Sequence, residues 1–389
     1  MSLPVREFEA VGFRSLRAIT YPMSDLDLFV GANGVGKTNL YRALELLQSA
    51  AANTLARDLA SEGGLQSAMW AGPRRKSDVP RLRLAVGLGD PAGTRSGAVA
   101  YRYEISVGFP PREASSTFEA EPQIKEEAVS YLGGPRPLRM VHRIGRSVTT
   151  RGEDGRPFEN KMDLLDSETV LGRLQEPSRY PELEALRCTL LQWRFYHGLR
   201  TDAASPLRWP CAAVATPTLA SNGTDLAAVF ATLAYIREDT LDLDAAVEAA
   251  FPGARLIVPP PGRTASFGMS YPEFPQRVFE ASELSDGTLR FLALAGALLA
   301  YRLPPFIALN EPEASLGPDL MEPLSRLIVR AAERTQVWVV THSNRLADAV
   351  TTAGVGKVRE VIKLDGATQI LGLRRWGAFE GEKSRSDDA

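Results

Sequence analysis

Leu28-Phe29-Val30-Gly31-Ala32-Asn33-Gly34-Val35-Gly36-Lys37-Thr38-Asn39-Leu40 joins a buried-strand pattern to a helical one through a glycine loop. Residues Gly31 to Thr38 fit G-x-x-x-x-G-K-[ST], in which every fixed position has a physical task. Glycines let the backbone curl so that Gly34, Gly36 and their neighbours, Asn33 among them, turn N–H groups inward at phosphate oxygens. The helix that follows presents its N-terminus to the same anion. Lys37 is placed to reach the β- and γ-phosphates of a nucleotide, and Thr38 to ligate Mg²⁺. The competing reading is a glycine turn whose helix happens to begin Lys-Thr. Chance gives four such fixed positions in roughly one chain of this size in a hundred. The strand Asp25–Val30 and the pattern Ala43, Leu44, Leu47 and Ala51 supply the strand–loop–helix context.

Three further segments extend the pattern. Phe306-Ile307-Ala308-Leu309 is an apolar strand that delivers Asn310-Glu311-Pro312-Glu313 at its C-terminal end, where open α/β sheets bind ligands. There Glu311 is positioned to polarise a water and Asn310 to touch the metal shell; a buried strand ending in a capped turn is the plainer alternative. Leu284-Ser285-Asp286-Gly287-Thr288-Leu289-Arg290 opens a helix. Ser285 reads either as its N-cap or, with the Gly287 backbone, as a γ-phosphate ligand. Thr341-His342-Ser343 follows the strand Val337–Val340, where His342 can sense a γ-phosphate, although a lone His after a strand is usually incidental.

The order of these segments resembles that of the ATP-binding cassette, in particular the RecF/SMC branch and the bacterial predicted ATPases similar to RecF. The matching stretches are Gly12-Phe13-Arg14-Ser15-Leu16, Gly31–Thr38 as Walker A, Leu284–Arg290 as signature, Leu309–Glu313 as Walker B, Ser315-Leu316-Gly317-Pro318 as D-loop and Thr341–Ser343 as H-switch. The resemblance implies a P-loop NTPase of ABC/SMC-head type: α/β, a mixed sheet flanked by helices, with a compact inserted accessory lobe. It implies a homodimer closed around two ATP molecules. Each site would combine Lys37, Thr38, Glu311 and His342 of one protomer with Ser285 and Gly287 of the other, and Arg14 and Asn39 join the nucleotide-binding set. Glu311 is the implied general base, His342 a catalytic partner, and Thr38 and Asn310 the metal residues. Asn310 stands where the general pattern has Asp, which predicts weaker Mg²⁺ binding and slow turnover. Gly317 stands where many relatives carry His, and either Gln48 or Gln66 could serve the Q-loop.

A chain of 389 residues with 44% hydrophobic content can bury a large core. A net charge of -2 excludes a globally basic polyanion binder. The two cysteines, Cys188 and Cys211, make neither a disulfide framework nor a metal set and read as buried small hydrophobes. The apolar run Phe291–Tyr301 is too short for a membrane span, and residues 1–7 lack the apolar core of a secretion signal, so the expected location is the cytoplasm. Strands are predicted over residues 80–110 and a hairpin over 138–158 turning at Asp154-Gly155. Helices are predicted over 162–191 and 224–250, and prolines with alternating strands exclude a long coiled coil. The expected division is an ATPase lobe from 1–110 and 276–373, an inserted lobe from 111–275 and a frayed tail from 374–389. Arg74, Arg75, Lys76, Arg81 and Arg83, and a second cluster of Arg136, Arg139, Arg143, Arg146 and Arg151, offer contacts to double-stranded DNA, though solvated faces explain most charge runs. Trp193–His197 reads as a buried aromatic strand ahead of a base-stacking surface. The functional expectation is ATP-gated DNA binding in repair or genome maintenance. The competing ones are a nucleotide-controlled switch on a separate protein effector and, least favoured, a transporter cassette without its membrane partner.

Overall fold

The computed structural model describes residues 3–73, 80–90, 98–110, 121–151, 155–374 and 377–379. Two compact units share the chain: one from residues 1–24, 31–193 and 359–389, the other from 25–30 and 194–358.

The first unit is built on an eight-stranded antiparallel sheet in the order Leu16–Pro22, Val5–Phe13, Arg81–Leu88, Tyr101–Gly108, Gln123–Tyr131, Leu138–Ile144, Ser147–Arg151, Pro157–Asn160. Val5, Phe8, Ala10 and Phe13 are buried, as a half-buried strand requires. The helix Lys37–Ala51 packs on this sheet through Leu40, Ala43, Leu44, Leu47 and Ala51, with the helix Pro181–Gln192 beside it. The strands Lys357–Leu364 and Ala367–Ile370 pair antiparallel from Val361 to Ile370, within the same unit. The expected helix over 162–191 is two helices, Val170–Arg173 and Pro181–Gln192, because Pro177 lacks the N–H a continuous helix would need. The expected hairpin over 138–158 has three strands. Its first turn falls at Gly145, where φ is +57°, and Asp154 lies outside the described residues.

One inward charge organises this sheet. The fully buried Glu127 carboxylate accepts from Tyr103 Oη (3.0 Å), Val170 N (2.7 Å) and Leu171 N (3.0 Å), and so caps the helix Val170–Arg173. Burial pushes its pKa up against those hydrogen bonds. Arg143, also fully buried, lies 4.0 Å from Glu127 and donates to the carbonyls of Gly145 (2.6 Å), Leu165 (3.1 Å) and Glu168. Replacing Arg143 by alanine strands a buried carboxylate and three carbonyls. A loss of about 3–5 kcal/mol is expected, read as a fall in the urea midpoint, whereas Arg146→Ala, on the exposed turn, should stay within about 0.5 kcal/mol.

The second unit holds parallel strands in the order Arg194–Tyr196, Phe306–Asn310, Gln336–Thr341, Leu26–Val30, with Leu309, Val339 and Leu28 in register. These strands are apolar without alternation because helices cover them. The helix Asp286–Leu299 is buried along almost its whole length, and Gly296 admits Leu226, whose Cδ1 would lie 2.4 Å from a Cβ there. The predicted helix over 224–250 is broken: Leu226–Thr232 runs into a π turn, Leu233–Arg237, then Glu238 at φ +55° reverses the chain before Leu241–Ala250.

The fold is mixed α/β, as expected, but the units do not part at 110/111 or 275/276. Tyr101–Gly108 pairs with Gln123–Tyr131 across the first boundary, and Leu226, Phe230 and Phe267 share one core with Phe291 and Leu309 across the second. No described helix exceeds 15 residues, and none is long and apolar enough to cross a membrane.

Candidate functional site

In the first unit the glycine loop ends at Gly36, whose φ of +96° turns the chain into the helix beginning at Lys37. That helix has no side-chain cap and no acidic residue in its first turn, so its leading N–H groups face away from any negative side chain of their own, as an anion site requires. Lys37 is 5% exposed, and its ammonium is folded into the loop, donating to Gly31 O (2.7 Å) and Ala32 O (2.8 Å). Gly34, at φ +80°, has open space around it, and Asn33 and Thr38 are exposed. These features fit a polyphosphate cradled by backbone, with the Thr38 hydroxyl available to Mg²⁺.

Arg14 and Asn39 meet here in a supporting position. Arg14 Nη1 lies 3.5 Å from Asn39 Oδ1, and Nη2 donates to Glu62 at 2.7 Å. A hydroxyl relay then reaches the loop: Asn39 Nδ2 donates to Ser15 Oγ (2.7 Å), Ser15 meets Thr368 Oγ1 (2.6 Å), and Thr368 donates to Val35 O (2.7 Å). Ser15 has no phosphate-binding pattern of its own, and Thr368 carries no local signal, since a single Thr in a hairpin is indistinguishable from many others. A Cβ at Gly36 would lie 2.0 Å from Thr368 Oγ1 and 2.3 Å from Ser15 Oγ. Gly36→Ala is therefore expected to cost about 2–4 kcal/mol from left-handed backbone and overpacking, measured as a lowered unfolding midpoint together with lost nucleotide binding.

In the second unit Ser285 is the N-cap of the helix Asp286–Leu299, its Oγ accepting from Thr288 N at 3.1 Å. Arg208 fixes this turn by donating to Asp286 (2.6 Å), Leu284 O (2.7 Å) and Ser282 O (3.1 Å). Nothing in the sequence links Arg208 to a segment more than seventy residues later. A Cβ on Gly287 would stand 3.0 Å from Ser315 O, so this glycine lets the D-loop segment approach.

Glu311 adopts φ +48° directly after the strand, donates its N–H to Val340 O (2.7 Å), and leaves its side chain 39% exposed. Arg290, 7% exposed, donates to Leu199 O (2.7 Å) and Glu311 O (3.3 Å), its pKa lowered by burial. Asn310 Oδ1 is buried with no hydrogen-bond partner, which suits an acceptor for a metal-bound water. Glu313, which the sequence reading gave no role, is 6% exposed and faces His342 Nδ1 at 3.1 Å; Glu311 lies 3.9 Å from the same nitrogen. Among the described residues, no group of three or more His, Cys, Asp or Glu is arranged to hold a metal.

Other expected surfaces change. Arg143 is buried and unavailable to DNA, Arg146 is paired with Asp166 (2.9 Å), and Arg151 donates to Arg139 O (2.9 Å) and Gly155 O (2.6 Å). Arg136, Arg139, Arg81 and Arg83 are exposed, while Arg74, Arg75 and Lys76 lie outside the described residues. Trp193, Phe195 and Tyr196 are buried, so they form core and not a stacking surface. Gln48 caps the helix Pro181–Gln192 by donating to Trp193 O (2.8 Å) and Leu190 O (3.2 Å), and Gln66 is exposed on a short helix. The cysteines are half-buried instead of fully buried, and Cys188 Sγ donates to Glu184 at 3.1 Å.

Solved structures similar to this chain include an SMC head bound to the C-winged helix domain of ScpA (16% identity, 95% of this chain and 97% of that one, TM-score 0.49). Others are the Pyrococcus furiosus SMC head with an extended coiled coil bound to the C-terminal domain of ScpA (16% identity, 95% and 96%, TM-score 0.49) and the Thermotoga maritima SMC head (16% identity, 95% and 98%, TM-score 0.43). No curated protein matches the chain. A family model described as "AAA domain, putative AbiEii toxin, Type IV TA system" matches residues 28–348, from the strand before the glycine loop to the helix after His342. With that match running through most of its length, the chain belongs to this family of AAA domains.

Proposed function

We propose that this chain binds ATP with Mg²⁺ and hydrolyses it slowly to ADP and phosphate, and that ATP binding closes a homodimer which engages double-stranded DNA. The observation that carries the reading is the glycine loop, with an uncapped helix start, left-handed glycines and a buried Lys37 turned into the cradle. In this reading Lys37 and the loop N–H groups, with Asn33, Gly34, Gly36 and Asn39, hold the polyphosphate, and Arg14 supports Asn39. Thr38 and Asn310 would hold Mg²⁺, which would supply charge neutralisation on the phosphate oxygens. Glu311 takes a proton from the attacking water as its oxygen bonds to the γ-phosphorus and the bond to the β,γ-bridging oxygen breaks. His342 orients toward the γ-phosphate, and Ser285 and Gly287 meet the nucleotide of the opposite protomer.

ATP turnover, measured with and without linear duplex DNA, tests this reading. Stimulation by DNA is the expected result. Turnover indifferent to DNA would remove the DNA arm, and no turnover would remove hydrolysis. A second reading, favoured by the toxin–antitoxin wording of the family description, is a nucleotide-controlled switch on a separate protein effector, and an adjacent toxin or nuclease gene would support it.

A further inference from the structure

Glu313 belongs to no role assigned so far, yet it is the best-connected carboxylate at the ends of the parallel strands. It sits three residues beyond Asn310 and is 6% exposed. One oxygen, Oε1, takes the Thr341 hydroxyl (2.5 Å) and the backbone N–H of His342 (2.9 Å), and it faces the ring nitrogen Nδ1 of the same histidine at 3.1 Å. Thr341 is itself fully buried and passes its oxygen on to Ser343 N (2.9 Å), so the carboxylate and the turn are locked by the packed strand Gln336–Thr341. A carboxylate has only acceptors, and a ring nitrogen held against it must carry the hydrogen. A neutral imidazole with hydrogen on Nδ1 has a bare lone pair on Nε2.

We propose that Glu313 is a positioning residue that fixes His342 as the Nδ1–H tautomer, leaving Nε2 as the atom presented to the nucleotide or to its attacking water. The clause about the nucleotide rests on the proposed ATPase activity; the tautomer does not. Glu311 fits the orienting role less well, because it stands 3.9 Å from Nδ1 and is 39% exposed, whereas the buried Glu313 is anchored by two other donors. Carboxylates that orient a functional imidazole through its second nitrogen recur in catalytic and metal sites, and their loss costs about 10–100-fold in function. Here the sequence supplies such a partner two positions after Glu311.

The chain has three histidines, so selective ¹⁵N labelling of imidazole nitrogens gives a spectrum that His342→Gln assigns by subtraction. It is recorded on the nucleotide-free full-length protein about two pH units above the usual imidazole value. The expected result is a protonated Nδ1 and a bare Nε2 for His342, retained in Glu313→Gln, whose amide oxygen can stand where Oε1 does, and a shift toward the opposite tautomer in Glu313→Ala, which removes the acceptor. A wild-type Nε2–H tautomer, or an unchanged spectrum in Glu313→Ala, would overturn the proposal even if ATP is hydrolysed. In turnover assays the same variant should lose about ten-fold or more in kcat with KM for ATP little changed. Equal turnover by the variant and an active wild-type protein would also refute the role, while an inactive wild type would count against the ATPase reading alone.

Discussion

Replacing Lys37 by alanine is expected to reduce ATP turnover by about 10²–10³-fold, the scale on which a single preorganised phosphate or oxyanion ligand is lost. Lys37 is 5% exposed and its ammonium donates to the carbonyls of Gly31 and Ala32 in the loop it would share with a polyphosphate, so it is held at the cradle before ligand arrives. Removing it leaves the N–H groups of the loop but no positive charge, and ATP affinity should fall with turnover. Isothermal titration and a phosphate-release assay read the two effects, and a Lys37→Ala protein that binds and hydrolyses ATP normally would end the phosphate-loop reading.

Glu311→Gln separates binding from chemistry. General-base loss costs about 10²–10⁴-fold, so hydrolysis should nearly stop while ATP binding persists. If the nucleotide holds two protomers together, the ATP-bound dimer then accumulates and appears by sedimentation at protein concentrations where wild type is monomeric. Lys37→Ala should give no such dimer under the same conditions. Wild-type turnover in Glu311→Gln would move the base elsewhere, and a monomer carrying stably bound ATP would remove the composite site. The left-handed backbone at Glu311 makes Gln the right choice, since it keeps size and shape where a smaller or β-branched residue would alter the turn.

The glycine loop, the strand Phe306–Asn310 and the helix starting after Ser285 were legible because each is a local pattern: fixed spacing, an apolar run, a capping residue. The eight-stranded sheet was legible only in parts. Leu16–Pro22 and Gln123–Tyr131 have polar residues on one face and little apolar run, so it is pairing with the neighbouring strands Val5–Phe13 and Tyr101–Gly108 that makes them strands. The same holds for the site. Lys37, Glu311 and His342 announce themselves by motif, whereas Arg208, Glu313 and Thr368 act through folded proximity. The domain boundary was misplaced for that reason too, since strand pairing across residue 110 cannot be read from composition. Charge clusters misled most: Arg143 is a buried structural cation, which a count of arginines on a hairpin does not reveal.

The relay from Asn39 through Ser15 and Thr368 to Val35 has a consequence for synthesis on the ribosome. It joins residues 353 positions apart, so Thr368 is made long after the glycine loop. A nascent chain therefore carries its complete glycine motif over that interval without the hydroxyl that pins the loop. A chain stopped before the strands Lys357–Leu364 and Ala367–Ile370 is therefore expected to bind ATP more weakly than the full-length protein, as read by titration.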